Sequence, residues 1–143
     1  MTASDLAPET TTYASFTVLG DFSPEAVSLA TGLEPTYISK RSVPTRGGVL
    51  PKQDAWSVRT EESETLEGTD KVREMVQRML PHREYLHRLC ADRGVTLLVT
   101  LVAFVSPGPR SAVPDLHLDE ALIDDLHRLG AEFTIDYSLL GAD

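Results

Sequence analysis

The chain has little of what staples a small fold or marks a specialised site. Its single cysteine, Cys90, in 143 residues excludes an internal disulfide and fits a reducing compartment. Basic residues are scarce: 13 Lys and Arg stand against 22 Asp and Glu, for a net charge of −9. Such a chain is repelled by phosphate backbones, which argues against nucleic acid as its partner. Long hydrophobic runs are missing. The most apolar stretch, 95–105, is interrupted by threonines and falls far short of the roughly 20 residues a membrane helix needs, so no membrane partner is expected. Met1-Thr2-Ala3-Ser4-Asp5 has neither the basic nor the apolar region of a secretory signal, and a cytoplasmic location is expected.

Catalytic signatures are missing as well. The sequence contains no G-x-x-x-x-G-K-[ST], G-x-G-x-x-G, G-x-S-x-G or H-E-x-x-H, so no phosphate loop, nucleophile elbow or zincin helix is encoded. The four histidines, His82, His87, His117 and His127, are scattered. His87 and Cys90 share a helix face, but zinc asks for about four ligands at set spacings; neither metal nor cofactor is expected. Cys90 lies beside Leu86 and Leu89 and reads as a buried thiol. Glu120, Asp124 and Asp125 sit near a helix start, where the dipole favours acids. No catalytic residue is assigned.

What is present describes one globular domain over 12–140, preceded by a loose, Thr-rich tail over 1–11. A chain of this length hides about 70% of its unfolded surface and needs no staple. Alternation over 12–19 predicts a half-buried strand. Ser23-Pro24-Glu25 starts a short helix that Gly32 ends. Strands are predicted at 36–43 and 55–60, joined by a Gly/Pro loop over 44–54. Val72, Met75, Val76, Met79 and Leu80 form a helical stripe, which Pro81 divides into 70–80 and 81–93. Gly94 caps the second piece. A central strand follows over 95–105 and a loop over 106–115. The last helix is capped by Asp119 and ended by Gly130, and the last strand spans 132–139 with Phe133, Ile135 and Tyr137 turned inward. The order is β-α-β-β-α-β, the ferredoxin-like order, plus a C-terminal α-β. The fold class is therefore α+β: a two-layer sandwich on a mostly antiparallel five-stranded sheet.

One segment stands apart electrostatically. Lys40, Arg41, Arg46, Lys52 and Arg59 face a single acid, Asp54, over 40–59. That window carries +4 and leaves −13 for the rest. With Tyr37 and Trp56 interleaved, these five cations form the candidate binding surface, since guanidinium groups beside aromatics suit anions and acidic protein surfaces. The alternation of Trp56 with Val58 also suits a core position. Two kinds of partner fit: an acidic protein, bound by a non-catalytic module of an immunity-like or regulatory kind, or a small anionic ligand gripped by Arg41, Arg46, Lys52 and Trp56 in a pocket beside the loop. An exposed sheet edge also allows a homodimer across a two-fold axis.

Gly20-Asp21-Phe22-Ser23-Pro24-Glu25, Thr31-Gly32-Leu33-Glu34-Pro35-Thr36, the lone Trp56, the Leu80-Pro81 break and Leu129-Gly130-Ala131-Glu132-Phe133-Thr134-Ile135-Asp136-Tyr137 resemble the bacterial DUF4279 family, a domain of unknown function. The resemblance covers about residues 12–139. It implies a small bacterial, cytosolic α+β domain and brings no catalytic residues with it. The chain departs from the family's pattern after Ser42, where Val43-Pro44-Thr45-Arg46 replaces a basic-Gly-acidic turn.

Overall fold

In the computed structural model, residues 10–107 and 112–140 are described. The first strand, β1 (Thr11–Gly20), alternates small or polar residues with buried Ala14, Phe16 and Val18, as a strand with one covered face must. Of the expected tail, residues 1–9 lie outside the described residues. Thr10 is buried, its hydroxyl donating to the Ala112 carbonyl at 2.6 Å, and Thr11 already belongs to β1.

Helix α1 (Pro24–Thr31) begins where Ser23 accepts from the Ala26 amide and ends at Gly32, whose φ of +70° is a left-handed cap. Strand β2 (Tyr37–Ser39) is far shorter than the expected 36–43. The chain leaves the sheet because the Arg41 amide donates to Asp54 Oδ1 at 2.8 Å and the Val43 amide closes a turn on the Lys40 carbonyl. Strand β3 (Asp54–Arg59) and the two-residue β4 (Ser63–Glu64) follow; β4 lies within the acidic run Glu61, Glu62, Glu64 and Glu67. Helix α2 (Gly68–Met79), one 3-10 turn over Leu80–His82 and helix α3 (Arg83–Arg93) realise the division at Pro81. Strand β5 (Thr96–Val105), helix α4 (Glu120–Leu129) and strand β6 (Glu132–Leu139) complete the chain.

The sheet runs β2-β3-β1-β5-β6, with β4 pairing the start of β1. It is mixed: β1 is antiparallel to β3 and β5, and β2 to β3, but β5 and β6 run parallel. The expectation of five strands is corrected to six, and the parallel pair follows from α4, which carries the chain back to the same end before β6 begins. The fold class is α+β.

One core joins the layers. Phe16, Val18, Trp56, Val58, Val99 and Leu101 from one sheet face meet Val72, Met75, Val76 and Met79 of α2, Leu86 of α3 and Leu122, Leu126 and Leu129 of α4. No described helix contributes to the other face. There the cross-strand rows Tyr37–Ser57–Thr17 and Arg59–Ser15–Thr100 lie open or half-open. At the β6 edge the helical layer gives out. Phe133 packs on the core, but Ile135 and Tyr137, expected inside, are exposed.

Candidate functional site

The turn after β1, the start of α1 and the start of β3 meet through Asp54. This buried carboxylate accepts from the Phe22 amide at 3.2 Å and the Arg41 amide at 2.8 Å, and Arg41 Nε lies 3.3 Å away. Burial pushes the carboxyl up, but the two amides and the guanidinium outweigh it and hold it below the usual aspartate value. Arg41 also reaches Asp21 at 2.6 Å. Lys40 is ion-paired to Glu25, and this hydrogen bond lowers the Glu25 carboxyl. These groups line a cleft of about 540 Å³ beside the loop. Three carboxylates, Asp21, Glu25 and Asp54, outnumber the two cations there, so the lining is net −1 and offers no net attraction to an anion.

The candidate residues therefore separate. Lys40 and Arg41 serve the fold. Trp56 is fully buried, its indole N–H donating to Ser28 Oγ at 2.9 Å, and is a core residue, not a contact. Its neighbours along β3 explain this: Trp56 and Val58 share the face that the helices cover. Arg59 lies on the opposite face, its guanidinium carbon 4.7 Å above the Tyr13 ring and 3.9 Å from Glu62 at the nearest charged atoms. Arg46 and Lys52 remain on the exposed β2–β3 loop and make no ion pair among the described residues.

Around those two free cations the loop is apolar. Val43, Val49, Leu50 and the neighbouring Tyr37 are each more than half exposed. The Thr45 amide donates to the Val49 carbonyl and the Gly48 amide to the Thr45 carbonyl, so 45–49 folds into a tight tip with Gly48 at φ +78°. Tyr37, Ile38, Val43, Pro44 and Arg46 share a groove of about 470 Å³. The sequence does contain this signal, apolar Val43, Val49 and Leu50 inside a Gly/Pro loop, beside the more conspicuous cations. The carboxylates of Asp21 and Glu25 were not legible as partners of Arg41 and Lys40, because the fold alone brings them together.

Burial pushes the Cys90 thiol up, away from the thiolate that a nucleophile needs. His87 Nε2 lies 3.1 Å from the Leu129 carbonyl. Among the described residues no three His, Cys, Asp or Glu side chains converge as a metal site, and no described helix is long and apolar enough to cross a membrane.

Neither a curated protein nor a solved structure matches this chain. A family profile does: the domain of unknown function DUF4279 is matched over residues 9–140, nearly the whole length. The chain belongs to the DUF4279 family.

Proposed function

We propose that this domain is a non-catalytic protein-binding module, immunity-like or regulatory in kind, and that it binds through the β2–β3 loop. Its core is read as the ferredoxin-like arrangement, supported by the order β2-β3-β1-β5, with α4 and β6 appended. The observation that carries the functional reading is the loop's composition in space. Tyr37, Val43, Val49 and Leu50 expose apolar surface together, flanked by Arg46 and Lys52, the loop cations without an ion partner among the described residues. A monomer gains nothing by exposing such a cluster, whereas an interface needs an apolar centre with a charged rim. The rim is basic on a body of −13, so the partner is an acidic protein with an apolar patch at its centre. Of the seven residues suggested by sequence, Tyr37, Arg46 and Lys52 stay in this surface.

The test is site-specific photocrosslinking of the full chain in cells of its source. A crosslinker at position 50 should capture one defined protein, and one at position 92 on α3 should not. Arg46→Glu with Lys52→Glu should cut capture about tenfold or more through the lost steering. Equal labelling from both positions, or none from position 50, overturns the reading.

A further inference from the structure

We propose that the helix-free face of the sheet holds a second site, for a small aryl carboxylate, with the carboxylate on Arg59 and the ring on Tyr37. A pocket of about 250 Å³ opens there, lined by Tyr13, Ser15, Thr36, Tyr37, Ser57 and Arg59. In a chain of net −9 this lining carries one formal charge, and it is positive. The cleft beside the loop, by contrast, holds three carboxylates.

The sheet builds the site by register. Ser15 faces Arg59 across the β1–β3 ladder, and Ser57 faces Tyr37 across β2–β3. The floor is thus two serines, whose small side chains leave the volume empty and whose hydroxyls add donors. Arg59 is held upright by Tyr13, with its guanidinium carbon 4.7 Å from the ring centroid, a cation–π contact. Glu62 at 3.9 Å is beyond hydrogen-bond reach, so the guanidinium fork keeps its donors for a carboxylate. Tyr37 is 58% exposed, which leaves its ring free to contact a ligand.

Distance selects the ligand. Tyr37 and Arg59 lie one strand apart and two residues along, about 8 Å between backbones from the strand rise and spacing. Inorganic anions cannot bridge that span; a ring joined to a carboxylate by a short chain can. The nearby Glu62 carboxylate also favours a monoanion over a doubly charged phosphate.

The test is titration of the full chain with 3-phenylpropionate, followed by saturation-transfer NMR and calorimetry. Saturable binding is expected. Arg59→Gln and Tyr37→Ala, both at exposed positions, should each weaken it at least tenfold while thermal unfolding stays as in the parent. Lys52→Gln should leave it unchanged, and inorganic phosphate should not compete. Absence of saturable binding, binding undiminished in both variants, or equal competition by phosphate overturns the proposal. Tyr37 belongs to both surfaces, but the loop reading is tested by protein capture from position 50 and by Arg46 and Lys52, which lie outside this pocket, so the two proposals can fail separately.

Discussion

At the scale of single residues, Asp54 is the position on which the loop's anchoring turns. Its carboxylate satisfies two amides, those of Phe22 and Arg41, from segments 32 and 13 residues away. Sequence spacing gives no hint of such a junction, and Asp54 reads there as one acid in a basic window. Asp54→Ala strands a buried donor and should cost about 1–3 kcal/mol in denaturant unfolding. The pH dependence has a definite sign. The folded carboxyl lies below the ordinary 3.8, so on acidification the unfolded chain takes up the proton first. The stabilisation is whole above about pH 4 and is lost as pH falls through the folded value. The gap between parent and Asp54→Ala should therefore close at low pH, and a constant gap would refute the assignment. Gly68 is the second such residue. A Cβ there would sit 2.4 Å from the Asp115 carbonyl oxygen and 2.9 Å from a Leu101 methyl. Backbone cannot yield as a side-chain tip can, so Gly68→Ala should lose about 1–3 kcal/mol, seen as a lowered urea midpoint. In the sequence Gly68 only follows the acidic residues Glu61, Glu62, Glu64 and Glu67; the approach of 115 to 68 is a tertiary event.

At the scale of elements, the readable parts were those with local causes. Ser23 and Asp119 as N-caps, Gly32, Gly94 and Gly130 as left-handed ends, and the break at Pro81 all appear where their chemistry places them. Elements whose limits come from elsewhere differ from their local pattern. Strand β2 stops at Ser39 because Asp54 takes the Arg41 amide, and Ile135 and Tyr137, placed by register beside buried Leu101 and Ala103, nevertheless stay exposed at the sheet edge. Asp119 shows how a local cap gains a tertiary role. It accepts from the Leu122 amide at 2.8 Å and pairs with Arg73 of α2 at 3.2 Å, and these contacts, the amide foremost, lower its carboxyl. Asp119→Ala should lower the melting temperature and speed amide exchange in the first turn of α4. Arg73→Ala should reproduce the first effect weakly and the second hardly at all. Equal exchange in parent and Asp119→Ala would show that the cap does not hold α4.

At the scale of the molecule, the charge count was legible but its neutralisation was not. Five cations over 40–59 give a net basic segment, yet three of them lie within ion-pair distance of acids and two do not. The two classes should behave differently under substitution, and the magnitudes say how. Arg46 and Lys52 have no internal charge partner, so Arg46→Glu with Lys52→Glu should leave stability within about 0.5 kcal/mol, as for surface positions free of special features. Arg41 is half exposed, which discounts its ion pairs, but one of them faces buried Asp54. Arg41→Gln should therefore cost about 1 kcal/mol, with the loss growing smaller as pH falls and Asp54 protonates. Chemical denaturation of the three proteins at neutral and acidic pH separates the cases. If the loop double variant proves as destabilised as Arg41→Gln, its cations belong to the fold and do not wait for a partner.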